Sequence, residues 1–429
     1  MKMLNGYYAI IGGGPSGLAA ARNLQRKNIP FIGFEAHSDV GGLWDIENPN
    51  SSVYRSAHLI SSKKMTEFNE FPMKKTVADY PSHAELGAYF KDFAKHFGLY
   101  DHYRFKTFVK KVEKNQEGKW EVTTNHGHYQ FDGVIVANGT LSEPNIPSYP
   151  GKFNGEIFHA KKYKSPEIFK NKRVLIVGAG NSGCDIAVDA VHHASSIDMS
   201  VRRGYHFVPK YIMGKPADSI GGKIKLPPRL KQKVDSKILK LFTGDPTRFG
   251  FPKPDHKLYE SHPIVNSLVL HHIGHGDINV MNSIEKLDGD TVYFTDGKKQ
   301  DYDIILLATG YKLHYPFIDG SHLNTNENTP NLFLNIFSPK EDDLFVVGLV
   351  EAAGIGWQGR YNQAELVALV IDAKINRPKS FESFKKRRKQ NNEDLRGGMD
   401  YMKLARMSYY VHKDTYLKKM KKYSEMLRH

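Results

Sequence analysis

Twice in this chain a short apolar run breaks into a glycine-rich turn and then into a helix-forming stretch, and that repeat limits the folds open to it. The first run, Tyr7-Tyr8-Ala9-Ile10-Ile11, leads into Gly12-Gly13-Gly14-Pro15-Ser16-Gly17 and on to Leu18-Ala19-Ala20-Ala21-Arg22-Asn23-Leu24. In such a strand–turn–helix unit Gly12 permits the tight turn, Gly14 lets the backbone approach a pyrophosphate, and Gly17 lets helix and strand pack closely. The helix start offers N–H groups and a positive dipole end to phosphate. A bare G-x-G-x-x-G means little among 37 glycines; the flanking strand and helix give it weight. The next apolar run, Phe31-Ile32-Gly33-Phe34, ends in Glu35, 18 residues past Gly17 (35 − 17 = 18). A carboxylate there accepts hydrogen bonds from a ribose diol.

The pattern returns at Arg173-Val174-Leu175-Ile176-Val177, which runs into Gly178-Ala179-Gly180-Asn181-Ser182-Gly183 and then Cys184-Asp185-Ile186-Ala187-Val188-Asp189-Ala190. Its second strand, Ile197–Val201, ends in Arg202-Arg203 rather than an acid. An acid would repel a 2′-phosphate, whereas a guanidinium pairs with it. The first site therefore suits a non-phosphorylated ribose, and the second, through Gly178, Gly180, Asn181, Ser182, Gly183, Arg202 and Arg203, suits NADP(H). Two nucleotide sites in one chain imply electron transfer between two cofactors.

The 429 residues exceed what one hydrophobic core usually organises, so at least two domains are expected. No apolar run approaches the ~18 residues of a membrane-spanning helix. Only six residues precede the first apolar strand, so no targeting peptide is expected and the cytoplasm is the expected compartment. Cys184, alone, can form no intramolecular disulfide, redox pair or cysteine zinc site. His271, His272 and His275 lack a carboxylate or cysteine framework, so no metal is expected. The formal charge is +15, but residues 374–429 hold 17 basic and 6 acidic side chains, an excess of 11 of those 15. No nucleic-acid-binding motif accompanies that charge, so no nucleic acid is expected as a partner. Tyr416, Met420, Tyr423 and Leu427 recur at helical spacing with Lys418, Lys419, Lys421 and Lys422 on the other faces. This predicts an amphipathic helix docked on the body, with attraction to anionic membrane surfaces as the lesser alternative.

Four features together resemble the class B flavoprotein monooxygenases, specifically the flavin-containing monooxygenases. They are the first fingerprint with Glu35 and the following Gly41-Gly42-Leu43-Trp44; the run Phe153-Asn154-Gly155-Glu156-Ile157-Phe158-His159-Ala160-Lys161-Lys162-Tyr163, which matches F-x-G-x-x-x-H-x-x-x-Y; the second fingerprint; and Ala308-Thr309-Gly310-Tyr311. Their order and spacing match from about residue 7 to 370.

The resemblance implies an α/β fold with two Rossmann-like dinucleotide-binding domains, the NADP domain inserted into a discontinuous FAD domain. The expected division is 1–168 (FAD, first part), 169–285 (NADP, its end falling between 280 and 312), 286–373 (FAD, second part) and 374–429 (basic helical tail). Asn138-Gly139 and Thr309-Gly310 would be crossing points near the cofactors, with His159 orienting the domains. Residues 210–275 are expected as loops and short helices covering the NADP side. FAD would lie against Gly12, Gly14, Pro15, Ser16, Gly17, Glu35, Gly42, Leu43, Trp44, Val109 and Gln358. Trp357 is expected to pack rather than touch substrate.

The implied activity is NADPH-dependent insertion of one oxygen atom from dioxygen into a sulfide or amine through a C4a-hydroperoxyflavin. The partners would be a small-molecule substrate and dioxygen, and the oligomeric state stands open between monomer and homodimer. No catalytic triad is expected, because the chemistry belongs to the cofactor. One departure stands out: where the family carries an Asn beside the flavin, this chain has Ile60, which neither donates nor accepts a hydrogen bond. Ser61, Ser62 or His58 would have to take its place, or the oxygenating species is less protected and the enzyme becomes a largely uncoupled NADPH oxidase. Baeyer–Villiger oxygenation of ketones is the nearest alternative; that family ends its histidine signature in Trp-Pro, against Tyr163-Lys164 here. Flavin disulfide reductases share the two fingerprints but need a cysteine pair.

Overall fold

The computed structural model describes residues 1–220, 226–326 and 329–429; residues 221–225, inside the block expected as loops and short helices, lie outside that description. Strand β1 (Tyr8–Ile11) is buried at all four positions and lies parallel to β2 (Phe31–Phe34) on one side and β4 (Gly133–Val136) on the other. With β3 (Tyr103–Arg104) and β10 (Leu344–Val346) they make a five-stranded sheet in the order β10-β4-β1-β2-β3. Strands covered on both faces read as unbroken apolar runs, which is why Ala9-Ile10-Ile11 and Val134-Ile135-Val136 show no alternation.

The second sheet repeats the plan. Strand β6 (Arg173–Val177) is flanked by β7 (Ser196–Ser200) and β9 (Ile304–Leu307), with β8 (Asn279–Met281) and β5 (Glu156–His159) at the edges, in the order β5-β9-β6-β7-β8, all parallel. In both sheets the glycine turn follows the strand at which the connection changes direction, the place where ligands bind in open α/β sheets. Strand β5 lies before residue 169, the expected start of the second unit, whereas β9 falls within the 280–312 window expected for its end.

Helix α1 (Pro15–Arg26) packs its Leu18, Ala21 and Leu24 between the first sheet and α6 (Gly356–Asn376). Twelve of the 21 residues of α6 are buried, as befits a helix surrounded by other elements. Helix α2 (His83–His96) starts on a capping box, with Ser82 accepting from the Glu85 N–H and Glu85 accepting from the Ser82 N–H. Between residues 210 and 275 the expected short helix is present as α5 (Leu268–His275), but Pro228–Thr243 forms α4, a longer helix of 16 residues. Pro228 starts it, and Leu230, Val234, Ile238 and Leu241 recur at helical spacing.

Helices α7 (Pro378–Gln390) and α8 (Lys413–Arg428) pack on α6. The buried residues of α8 are Tyr416, Met420, Tyr423 and Leu427. A polar thread joins α8 to the first sheet. The Gly348 N–H donates to Gln363 Oε1 (2.9 Å), Gln363 Nε2 donates to the Tyr416 hydroxyl (2.8 Å), and that hydroxyl donates to the Leu334 carbonyl (2.8 Å). Among the described residues no helix is long and apolar enough to cross a membrane.

Candidate functional site

Both glycine turns open into one cavity of about 1300 Å³, more than a single drug-sized ligand fills. Gly12, Gly14, Pro15, Ser16 and Glu35 line one end, and Gly180, Asn181 and Ser182 line another. The two helices that start there, α1 and α3 (Asn181–Ala190), follow Gly14 and Gly180, with no side-chain cap and no acid in the first turn. Their first N–H groups are thus left for an anion.

The glycines divide by task. A Cβ on Gly17 would stand 1.9 Å from the Gly12 carbonyl oxygen, and one on Gly183 would stand 2.1 Å from that of Gly178. These two, with Gly178, are absent from the cavity wall and serve helix–strand packing. A Cβ on Gly180 meets nothing within 4 Å, and one on Gly14 only Gly42 Cα at 3.5 Å. The space a side chain would fill is the space a phosphate needs. Gly42 follows Gly41, whose N–H donates to the Gly13 carbonyl and whose φ is +119°, folding Gly42, Leu43 and Trp44 onto the wall.

Glu35 is fixed before any ligand arrives. Its Oε2 accepts from the Gly13 N–H (2.6 Å) and its Oε1 from the His37 N–H (2.8 Å). Burial pushes its pKa up, partly offset by those two bonds. Each oxygen keeps a lone pair for a hydroxyl. A rigid acceptor, an uncapped helix start and a cradle free of Cβ atoms fit a dinucleotide at the first site. The same helix geometry, with an arginine pair at the strand end, fits one at the second.

The clefts are held side by side by identifiable contacts. Tyr54 donates to Asp185 on α3 (3.1 Å), Tyr163 donates to Asp189 one turn on (2.8 Å), and Ser56 also reaches Asp189. His159 ends β5 with its Nε2 2.9 Å from the Gly310 carbonyl, while its Nδ1 accepts from the Lys161 N–H (3.1 Å). Nε2 therefore carries the proton, and burial lowers the ring's pKa. Asn145 and Thr309 exchange two further bonds across the same crossing, at 3.3 and 2.5 Å. The Asn138 side chain donates to the His314 carbonyl (2.9 Å).

Ile60, Ser61, His58 and Val109 all line the cavity; Ser62 does not. The Ser61 hydroxyl is 2.8 Å from that of Thr66, and His58 Nδ1 is 2.8 Å from the Ser56 carbonyl. Arg202 is exposed and Arg203 half-buried at the end of β7, outside the cavity wall and in no ion pair among the described residues. Gln358 is engaged elsewhere in this structure. Its Oε1 accepts from the Asn69 N–H and its Nε2 donates to Asn362, both at 2.8 Å, and it is absent from the wall. Each end of the amide keeps one further donor or acceptor position. Trp357 is buried against Phe90 and Tyr89 while one edge reaches the cavity.

Sequence reasoning missed a third wall. His262, Glu351, Arg360, Arg406 and Tyr410 converge there from segments far apart in the chain, and no local motif marks them. Among the described residues no three His, Cys, Asp or Glu side chains stand close enough to hold a metal ion.

Comparison with known proteins places the chain among relatives. The profile of the family described as FMO-like, flavin-binding monooxygenase-like, matches residues 6–427. Flavin-containing monooxygenase 5 of Rattus norvegicus is 31% identical, covering 81% of this chain and 69% of that protein. Flavin-containing monooxygenase 1 of Homo sapiens is 30% identical over 95% and 82%. Among solved structures, S-allyl-L-cysteine S-oxygenase from Allium sativum superposes with a TM-score of 0.66 at 21% identity, covering 100% of this chain and 88% of that one. Cyclohexanone monooxygenase with bound epsilon-caprolactone gives 0.74 at 17% identity, over 100% and 98%.

Proposed function

The chain belongs to the flavin-binding monooxygenase-like family, and from that premise we propose that its substrate is a small sulfide or amine, oxygenated at sulfur or nitrogen. It is an NADPH-dependent monooxygenase with FAD as its flavin. The observation that carries the reading is the single cavity into which both nucleotide turns open. Bound FAD supplies hydride acceptance from NADPH and activation of dioxygen, one atom of which goes to substrate and the other to water.

The chain's own residues bind, orient and exclude water. The start of α1 holds the flavin nucleotide's pyrophosphate while Glu35 accepts from its ribose, and Leu43, Trp44 and Val109 cover it with apolar surface. The start of α3 takes the pyrophosphate of NADPH, and Arg202 and Arg203 take its 2′-phosphate. His159 fixes the end of β5 on Gly310, which keeps the two clefts in register. Ile60 packs as a dry wall where a polar side chain would admit water. No side chain is assigned a proton-transfer step.

The proposed division keeps an FAD unit of two parts and an inserted NADP unit, widened to about residues 150–312 because β5 and β9 pair within its sheet. The working location is the cytoplasm, with a small molecule and dioxygen as partners and no nucleic acid. Baeyer–Villiger oxygenation is the second reading; Tyr163-Lys164 in place of Trp-Pro sets it behind the first. The test is turnover of the FAD-loaded protein with methyl phenyl sulfide, dimethylaniline and cyclohexanone, with product analysis. Sulfoxide or N-oxide in step with NADPH consumption is expected. Lactone as the main product contradicts the first reading, and hydrogen peroxide without organic product supports the uncoupled oxidase.

A further inference from the structure

We propose that Arg406 forms an anion-binding subsite in the third wall of the cavity, and that the substrate is a sulfide or amine carrying a carboxylate. This rests on the oxygenation reading above and adds to it the charge of the substrate.

Arg406 comes from the C-terminal arm, outside both fingerprints. The arm is pinned along the loop that follows β10: the Val411 N–H donates to the Glu351 carbonyl (2.9 Å), and the Glu351 N–H donates to the Tyr409 carbonyl (3.4 Å). That loop starts beside the first nucleotide cleft, where a Cβ on Gly348 would stand 2.4 Å from Ser16 Oγ. Arg406, in the 3-10 turn Ala405–Tyr409, is thus carried to the cavity by this backbone bridge.

The guanidinium is under-used. Its one ion-pair contact among the described residues is Glu351 Oε2 at 3.9 Å, and it makes no hydrogen bond there. Its side chain is 45% accessible and lines the cavity, with guanidinium N–H donors that have no hydrogen-bond partner among the described residues. A guanidinium at a cavity wall with unfilled donors is built to take a planar anion in two parallel bonds.

The charge count selects the anion. The other oxygen of Glu351 is held by Arg360 Nη2 at 3.2 Å, and Arg360 Nη1 donates to the Gly356 carbonyl. Burial pushes the Glu351 carboxyl up, but Arg406 and Arg360 outweigh it and hold the group below its usual value. Two guanidinium groups therefore share one ionised carboxylate, leaving one surplus positive charge. His262 adds none, because burial pushes it down to about 3. Its Nδ1 lies 3.2 Å from the Tyr410 hydroxyl, so this side of the wall is neutral and polar. Lys413 and Asp414 line the same wall with one charge of each sign and add nothing to its net formal charge. A surplus of one matches a monoanionic carboxylate, whereas a phosphate dianion would face Glu351. The cofactor phosphates moreover have helix starts of their own at Gly14 and Gly180.

The test uses the FAD-loaded full chain and two probes with the same sulfur, 3-(methylthio)propanoate and its methyl ester. The wild-type protein is expected to favour the acid over the ester by tenfold or more in kcat/KM. Arg406→Gln is expected to bring that ratio close to one, with the KM for the acid rising more than the KM for NADPH. Arg406→Lys, which keeps the charge but loses the fork, is expected to fall between them. Equal turnover of acid and ester by the wild-type protein overturns the inference and leaves the oxygenation reading standing. A larger rise in the NADPH KM than in the acid KM also overturns it, assigning Arg406 to the cofactor. No sulfoxide from either probe while NADPH is consumed contradicts the oxygenation reading, and this inference with it.

Discussion

Gly17→Ala and Gly14→Ala change the same fingerprint by one methyl group each, and the structure assigns them opposite consequences. At Gly17 the new Cβ would stand 1.9 Å from the Gly12 carbonyl oxygen. It has to recede to at least 3.0 Å, so α1 must shift by about 1.1 Å (3.0 − 1.9) relative to β1. Overpacking of this kind costs about 1–3 kcal/mol. The retreating helix also loosens Leu18 and Leu24, each worth about 1.5–3 kcal/mol of burial. Helix propensity returns at most about 1 kcal/mol. A net loss of about 2 kcal/mol follows, or about 4–8 °C in Tm for a cooperative unit of about 200 residues. Gly14 has φ −76°, which any residue adopts, and its Cβ would find only an ordinary contact at 3.5 Å. The apo protein should therefore keep its stability to within about 0.5 kcal/mol. The methyl group would instead occupy the phosphate cradle and weaken flavin binding by tenfold or more. Thermal unfolding of the apo proteins, paired with flavin titration, reads both effects. Equal stability of Gly17→Ala and wild type, or equal loss in the two variants, would refute the division of labour.

Three further outcomes follow from particular contacts. Replacing Arg202 and Arg203 together by Ala should lower the NADPH-over-NADH ratio of kcat/KM by tenfold or more, since charge-assisted bonds to the 2′-phosphate contribute about 1.5–3 kcal/mol each; an unchanged ratio would remove them from the cofactor site. His262 is held neutral down to about pH 3 in the folded chain, whereas the unfolded chain takes up a proton near 6.5. Its folded pKa is the lower one, so stability drains away as pH falls from about 6.5 towards 3. His262→Gln should flatten the slope of chemical-denaturation stability against pH in that window; a slope identical to wild type rules this out. Tyr416→Phe strands the Gln363 amide and the Leu334 carbonyl in the interior and should cost about 1–3 kcal/mol. Because Gln363 also holds Gly348, flavin affinity should drop alongside, and a stability loss with full flavin affinity would uncouple α8 from the site.

The sequence was legible where function and fold are local. Strand, glycine turn and helix are contiguous, so Gly12, Gly14, Glu35, Gly180 and Asn181 are readable as nucleotide-binding candidates from the sequence alone. The bond of Gln358 to the Asn69 N–H was not legible, because it is set by the packing of α6 against residue 69, far away in the chain. Helix α4 carried a readable signal in Pro228 and the 230-234-238-241 spacing, obscured by the lysines among those positions. Arg406, Glu351 and His262 had no local signal. They meet through the backbone bridge between residue 351 and residues 409–411, and one sequence holds no trace of that register.

The central claim is that two nucleotides in one cavity deliver one oxygen atom to a substrate. Its most direct test is turnover of methyl phenyl sulfide by the FAD-loaded protein with NADPH under ¹⁸O₂, following NADPH oxidation, hydrogen peroxide and labelled sulfoxide together. The account predicts one ¹⁸O per sulfoxide and close to one sulfoxide per NADPH. Sulfoxide labelled from water, or NADPH oxidation that ends wholly in hydrogen peroxide, would contradict it.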